Sequence, residues 1–450
     1  MKTENRRSFI KKSAVLSAGL TAGAPVYIKG FMQNKPGDVI NVAVAGINDR
    51  GGFYGGTGHT ANFTKIKNSR VVAICDADEN LFAKAIADIE NLGGEKPKTY
   101  LDFRKMMEDK DIDAVAIATP DYWHALMAIW ACQAGKDVYL EKPVSYTVLE
   151  GRKIVEAARK YNRIVQTGTQ HRANRLSQKA IQLVQEGVIG DIYMGRATVY
   201  RHRPSIGRIP DSEVPAGVNW DLYRGPAPMI PFNKNHFHYN WHWYWDTATG
   251  EFGNNGVHAV DRIRLAMRKD VHPVKISCCG GFYAWDSDQE VPNLQVGTFE
   301  YDDGKIIELE VRSLFTPEES TITFFGTKGY ATLGNNFQTF MGPNREPGIS
   351  LTPADLEPDP YRMELEKARI EYHFVNFLDC VRSRKPQDLL ADINEGHMST
   401  AMMLIGNIAY RTGRKLIFDG KTETFVNDPE ANSYLTRQVY RKPYVLPEKV

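Results

Sequence analysis

At 450 residues the chain is long enough for two domains, and its 56 Lys and Arg against 54 Asp and Glu leave a formal net charge of +2. So balanced a charge gives no footprint of nucleic-acid binding. Beyond the N-terminus there is no basic tract, and no apolar run reaches the roughly 20 residues needed to span a bilayer.

The first thirty residues stand apart from the fold. Asn5-Arg6-Arg7-Ser8-Phe9-Ile10-Lys11-Lys12 precedes a mildly apolar stretch, residues 14–24. Paired arginines, an aromatic two residues on and then lysines have the pattern of a twin-arginine export signal, which implies a periplasmic protein. The alternative is a basic N-terminus with a chance Arg-Arg. No cysteine lies in this segment, so no lipid anchor and no membrane attachment after export are expected. Five cysteines, Cys75, Cys132, Cys278, Cys279 and Cys380, show no metal-ligand spacing. Cys75 and Cys132 fall in apolar patterns and read as core thiols.

Residues 39–45 read as a buried first strand. Gly46-Ile47-Asn48-Asp49-Arg50-Gly51 follows, and then a helix from about Thr60. This is the place for a dinucleotide fingerprint, in which glycines let the backbone approach a pyrophosphate at a helix N-terminus. Asn48 stands at the second glycine position; Asn tolerates positive φ, so the turn survives. The second strand, residues 71–75, ends in Asp76. An acid there hydrogen-bonds an adenosine ribose and repels a 2′-phosphate, favouring NAD over NADP; the alternative is a helix cap. A helix over residues 81–92, a short strand near Thr99 and a helix over 102–108 come next. A buried strand over 114–118 ends in Thr119-Pro120, and His124 opens an amphipathic helix to Ala134.

A further apolar run, residues 138–140, leads into Glu141-Lys142-Pro143, and a capping box, Thr147-Val148-Leu149-Glu150, announces the next helix. Lys142 therefore sits at the C-terminal end of a strand, where open α/β sheets bind ligands. Pro143 pushes it out of the helical region. A buried lysine beside a cationic ring loses proton affinity and exchanges a proton near neutral pH. The bland reading is a strand-end lysine reaching water. With a strand over 164–166, six strands alternate with helices, the pattern of a doubly wound parallel sheet.

The glycine turn, Asp76, Thr119-Pro120 with His124, Glu141-Lys142-Pro143, and Gly168 with Arg172 fall in an order that resembles the glucose–fructose oxidoreductase, inositol dehydrogenase and rhizopine-catabolism (Gfo/Idh/MocA) family. The resemblance covers the chain beyond the signal. It implies a Rossmann domain followed by an α/β domain on a large, mostly antiparallel open sheet. It places Gly46, Asn48, Gly51, Asp76, Thr119, Pro120, His124, Glu141 and Lys142 around NAD, with Lys142 beside a reacting sugar hydroxyl. It also implies a homo-oligomer, dimer or tetramer, formed through the open sheet face. The segments are a signal (1–30), the Rossmann domain (38–166), a substrate and oligomerisation domain (167–420) and a tail (421–450) that wraps a neighbour.

The second half agrees in pattern. Residues 192–200, 294–301, 305–311 and 321–325 are β-rich, Gly326-Thr327-Lys328-Gly329 is a hairpin turn, and helices cover 372–382 and 395–411. Three tryptophans and three histidines crowd residues 236–245. Aromatic faces suit the C–H face of a sugar, which makes His242 and Trp243 substrate-binding candidates; the alternatives are an aromatic core strand or an oligomer contact. No acid completes a metal set with His236, His238 and His242, so no metal is expected. In Gly253-Asn254-Asn255-Gly256-Val257-His258-Ala259-Val260-Asp261, the resemblance implies a catalytic aspartate, a histidine four residues later and an acid three beyond. His258 and Asp261 match, but Asn254 stands at the aspartate. Asn254 and His258 share a helix face and both reach a substrate. Asn cannot take a proton, so base duty falls on Lys142 or His258. Arg172 and Asp261 are further substrate contacts; His258 as a satisfied helix histidine is the alternative.

The substrate class implied is a carbohydrate. An exported enzyme has no NAD pool to regenerate its cofactor, so the nucleotide must be held and returned to its starting state in each cycle. Members that oxidise one sugar while reducing another, and NAD-dependent glycosidases, both do this. An ordinary NAD-dependent sugar or polyol dehydrogenase and a non-catalytic sugar-binding protein are the rival readings.

Overall fold

The computed structural model describes residues 39–316 and 319–450. The twin-arginine pattern of residues 1–30 lies outside them. Among the described residues, six strands form a parallel sheet in the order β3-β2-β1-β4-β5-β6. They are β1 (Ile40–Ala45), β2 (Ser69–Cys75), β3 (Lys98–Tyr100), β4 (Ala114–Ile117), β5 (Asp137–Leu140) and β6 (Val165–Thr167). The order reverses at β1/β4, the doubly wound arrangement whose switch point opens a crevice at the strand C-termini. Strands β1, β4 and β5 are apolar and buried along almost their whole length, as sheets covered on both faces require.

The crossover helices are α1 (His59–Lys65), α2 (Phe82–Asn91), α3 (Phe103–Met107), α4 (Asp121–Gln133) and α5 (Val148–Lys160). The capping box at Thr147 and Glu150 is formed. Helix α4 begins at Asp121, three residues before His124, and is buried on nearly every side rather than amphipathic. The reason is tertiary: the C-terminal residues cover its outer surface. Tyr444, Leu446 and Val450 join the apolar cluster of α4 and β5, and the Trp123 and Tyr444 rings meet edge-on at 5.1 Å. Tyr440 also hydrogen-bonds Glu150 at 2.9 Å. The tail thus packs on its own chain.

The second sheet has ten strands in the order β14-β13-β12-β11-β7-β10-β9-β8-β15-β16. They are β7 (Ile192–Tyr200), β8 (Lys275–Gly281), β9 (Leu294–Glu300), β10 (Ile306–Arg312), β11 (Glu319–Gly326), β12 (Gly329–Leu333), β13 (Phe337–Met341), β14 (Glu346–Leu351), β15 (Leu416–Asp419) and β16 (Thr424–Phe425). Only β7 and β10 pair in parallel. The hairpin at residues 326–329 joins β11 and β12.

The remaining helices are α6 (Arg175–Gln185), α7 (Trp220–Arg224), α8 (Gly250–Asn254), α9 (Gly256–Ala266), α10 (Pro360–Lys367), α11 (Tyr372–Ser383), α12 (Ile393–Thr412) and α13 (Pro429–Ser433). One face of the large sheet is sealed by α9 and α12, whose Val257, Ile263, Met403 and Ile405 pack on Ala197, Phe299 and Leu309. The other face is open and carries Tyr193, Phe325, Tyr330 and Phe340, the last two stacked at 4.8 Å. Helix α11 packs on the first sheet instead: Phe374 and Phe377 join the β1 and β5 cluster, with Phe374 stacked on Tyr139 at 4.5 Å. The segment after residue 166 therefore does not serve the second sheet alone.

Candidate active site

A cavity of about 720 Å³ opens at the C-terminal ends of β1, β2, β4 and β5. Its far wall comes from α8, α9 and residues 238–242. The strands position the residues one by one. Gly46 ends β1 at φ +79°, and a Cβ there would lie 2.6 Å from the Ala118 carbonyl oxygen, so only glycine lets the two strand ends approach. Asn48 lines the cavity but is not at positive φ; Gly46 alone makes the turn. Gly51 does not line the cavity. It packs behind the loop, where a Cβ would meet the Gly46 carbonyl oxygen at 1.7 Å.

Asp76 lines the cavity and binds the turn, accepting from the Ile47 and Asp78 N–H groups at 2.9 and 3.1 Å. The helix cap that follows is Asp78, not Asp76. Burial pushes Asp76 up to about 6 against these two N–H bonds. Thr119, Pro120 and His124 line the wall beside it. The two His124 ring nitrogens sit 2.7 Å from the Pro143 and Thr119 carbonyl oxygens. Burial lowers its proton affinity, so at neutral pH only one carbonyl receives a proton.

Glu141 is the electrostatic floor. It accepts from His59 at 2.9 Å and Gln170 at 2.8 Å, with Arg50 at 3.4 Å. Burial opposes its charge, but His59, Arg50 and Lys142 hold it well below the usual carboxylate range. Arg50 is itself gripped by both oxygens of Glu371. The next residue, Lys142, is joined to Pro143 by a cis bond. Its Nζ donates to the Asn254 carbonyl and Oδ1 at 2.9 and 2.7 Å. An ammonium has three donors, so one is left for a ligand. Burial lowers the proton affinity of Lys142, against the pull of Glu141, Asp121 and Glu251.

His258 lies across the cavity, edge-on to His171 at 4.8 Å. Burial, His171 and Lys142 hold it neutral, and its Nδ1 has no hydrogen-bond partner among the described residues. Asn254 also reaches Glu251 at 3.3 Å, and Glu251 holds Arg203 at 3.1 Å.

Three substrate candidates move. Arg172 and Asp261 do not line the cavity; they form a buried bidentate pair at 2.6 and 2.7 Å, capped by Ser399 at 2.7 Å. The Asp261 carboxylate is saturated by these partners and orients α9 from behind. Trp243 is buried with Tyr244 and Val291 instead of facing the cavity. The aromatic stretch is not a strand: residues 234–236 and 238–243 are 3-10 turns, which send His238, Tyr239, Trp241 and His242 to the cavity. His242 Nδ1 donates to the Tyr239 carbonyl at 2.5 Å, so Nε2 is left as an acceptor. Burial pushes this ring down to about 3.

Cavity residues not anticipated are Arg50, Asp121, Gln170, His171, Arg203 and Tyr239. Asp121 directly follows Thr119-Pro120 and could have been found from that motif. The others come from irregular segments that carry no periodic signal.

His236, His238 and His242 do not converge. Among the described residues, the set with metal-ligand spacing is His272, His397 and Glu423. It does not fit an ion. Both Nε2 atoms already meet Glu423 Oε1, at 2.8 and 2.7 Å, and Arg152 grips the same carboxylate. A ligating imidazole also needs an acceptor for its other N–H, and neither Nδ1 has one.

A six-stranded doubly wound sheet with a cavity at its switch point, closed by a helix-backed antiparallel sheet, defines a two-domain dinucleotide-binding oxidoreductase fold. Family models agree on both halves. Residues 40–169 match the NAD-binding Rossmann fold of the Gfo/Idh/MocA oxidoreductase family, and residues 182–446 match its C-terminal alpha/beta domain. The chain belongs to this family. A glycosyl hydrolase family 109 protein of Shewanella pealeana is 30% identical over 211 residues, 43% of this chain and 45% of that protein. The match thus spans less than half the length of this relative. The WlbA dehydrogenase of Bordetella pertussis, solved with NADH and UDP-GlcNAcA, superposes with a TM-score of 0.62 at 19% identity, over 85% of this chain and 99% of that one. The aldose-aldose oxidoreductase of Caulobacter crescentus, complexed with glycerol, gives 0.61 at 17% identity, over 84% and 100%. At these identities the structural likeness is one of fold.

Proposed function

We propose that the chain is a carbohydrate-active oxidoreductase that keeps NAD bound and returns it unchanged, so that its net reaction is redox-neutral and glycosidase-like. The observation that carries the reading is Lys142. It is a part-buried amine at the end of β5, with two donors fixed on Asn254 and one free, facing a neutral His258 across the switch-point cavity.

The residues present fit the dinucleotide. Gly46 admits close backbone approach, Asp76 offers a carboxylate for a ribose, and Thr119 and Pro120 flank the space between. When bound, NAD supplies reversible two-electron oxidation of a ring hydroxyl. Lys142 Nζ hydrogen-bonds that hydroxyl and moves its proton, an exchange that burial brings toward neutral pH. His258, and His242 through Nε2, accept hydroxyl hydrogens, and Tyr239 and Trp241 offer aromatic faces to the sugar ring.

Two further observations favour redox neutrality over an ordinary dehydrogenase. The curated relatives are named glycosyl hydrolases although the fold is an oxidoreductase's, and hydrolysis leaves no net oxidation. The Arg6-Arg7 pattern also points to folded export into the periplasm, where free NAD is absent. The open, aromatic face of the large sheet supports a homo-oligomer built from second copies of this face.

The test is nucleotide content. Protein purified without added nucleotide and dialysed should release about one NAD(H) per chain on denaturation, as the cavity at the single switch point implies. The released nucleotide should lack a 2′-phosphate, because Asp76 repels it. A nucleotide-free protein that also fails to bind NAD would remove the reading; NADP(H) in its place would remove the role of Asp76.

A further inference from the structure

Asp121 is the first residue of α4, is 3% exposed and lines the same cavity as Lys142. Among the described residues no cation lies within ion-pair distance of it. Its Oδ2 accepts from Thr249 Oγ1 at 3.3 Å. Thr249 is the residue before α8, and the last residue of α8 is Asn254, which takes the Lys142 ammonium through its carbonyl and Oδ1. One short helical turn therefore touches a buried carboxyl at one end and the amine at the other.

An unpaired buried carboxyl resists ionisation, and a buried amine resists protonation. Burial pushes Asp121 up to about 8, and Lys142 is the main charge opposing that rise. Asp121 in turn raises the proton affinity of Lys142 against burial. The other groups facing Lys142 are accounted for. Glu141 on β5 is committed to His59 and Gln170, and Glu251 on α8 to Arg203. Arg50 is held by Glu371, and His171 and His258 are kept neutral by burial, as is His242. Asp49 lies on the glycine turn, where burial raises it and Arg50 and Lys142 lower it. Asp49 and Asp121 are the carboxyls in this set with no cation in contact, and of the two only Asp121 is tied to the Thr249–Asn254 turn that holds the Lys142 ammonium.

Building on the proton-handling role given to Lys142 above, we propose that Asp121 is a positioning residue that sets the charge of Lys142: the carboxyl and the amine titrate as one pair across the cavity, and the Thr249–Asn254 turn fixes their separation. Loss of the carboxyl leaves the amine with less reason to hold its proton. Two groups coupled in this way give apparent values that belong to the pair.

The experiment follows the Lys142 amine and needs no substrate. Trace acetylation with acetic anhydride, read by peptide mass spectrometry from about pH 6 to about pH 11, gives its titration midpoint in the protein as purified. Asp121→Asn should lower the midpoint by about one unit, a tenfold change in proton affinity. Asp302→Asn, an exposed charge change in a distant β-turn, should not move it. An unmoved or raised midpoint in Asp121→Asn overturns the proposal. Should that variant fail to fold, Thr249→Val decides by the same criterion. It removes a donor that stabilises the carboxylate, and so should lower the midpoint in the same sense. The readout needs no turnover, and wild type and variants are compared at the same measured nucleotide content, so loss of the proposed function leaves this result standing, and the reverse.

Discussion

Lys142 shows how much a single position can carry. Its neighbours take up two of its three ammonium protons and part of its hydration, so what remains is one donor and a weakened hold on a proton. Lys142→Ala should lower turnover of a glycoside substrate by roughly 10²–10⁴-fold, the range for a positioned acid or base. Nucleotide content should change little, because the turn at Gly46 and the Asp76 carboxylate are untouched. Lys142→Arg should not rescue, since guanidinium holds its proton near neutral pH. His258→Ala should also cost activity, and Asn254→Ala less. Steady-state kinetics with nucleotide content measured in parallel checks all four; near-normal turnover in Lys142→Ala would return that residue to a plain strand end. The residues legible in the sequence were those at strand ends: Gly46, Asp76, Thr119 and Lys142 lie where a buried apolar run stops, and the run announces them. Arg172 and Asp261 misled because a family pattern fixes position along the chain, not which side of the backbone a carboxylate finds its partner.

At the scale of elements, α5, α12 and the β15–β16 turn are held by a clasp that no linear pattern could reveal. Its members, Arg152, His272, His397 and Glu423, come from four separate segments. Gly151 lies mid-helix, where glycine costs about 1 kcal/mol. A Cβ there would lie 2.4 Å from His397 Nδ1, so the close approach of α5 and α12 demands it. Burial opposes charge on Glu423, but hydrogen bonds from His272, His397 and Arg152 hold the carboxyl far below its ordinary range. A depressed carboxyl contributes stability that is present above its unfolded value of about 4.3 and is lost as pH falls through that region. Glu423→Gln should therefore destabilise by about 1–3 kcal/mol at neutral pH, the cost of leaving buried donors poorly paired. The gap from wild type should narrow as pH drops below about 4. Denaturant melts at several pH values check this; a gap independent of pH would mean the carboxylate's charge does not matter there. The strands of the first sheet, β7, β9, β10 and β11 of the second, and helices α11 and α12 were readable because burial imposes period and length; β8, β13–β16 and the helices α6, α7, α10 and α13 were not read. The 3-10 turns of residues 234–243 were not, since their side chains answer to cavity walls supplied by distant segments.

For the whole molecule, the sequence pattern anticipated two sheets and their connection, because strand–helix alternation and β-rich runs differ in period. It did not anticipate that α11 and the C-terminal residues return to the first sheet, since return is a matter of tertiary contact. The export reading concerns the whole chain as well. Replacing Arg6 and Arg7 by lysines should leave the precursor in the cytoplasm, checked by fractionation and immunoblot; periplasmic protein in the double variant would point to another route and weaken the case for a preloaded cofactor.

The tail of residues 440–450 has a consequence for the order of synthesis. Tyr444, Leu446 and Val450 fill the outer side of the cluster built by α4 and β5, yet the ribosome makes them long after those elements. A nascent nucleotide-binding half must wait with part of its apolar surface uncovered until the entire second sheet has been translated. Closure of that apolar cluster is thereby tied to synthesis of the tail, long after α4 and β5 have been made.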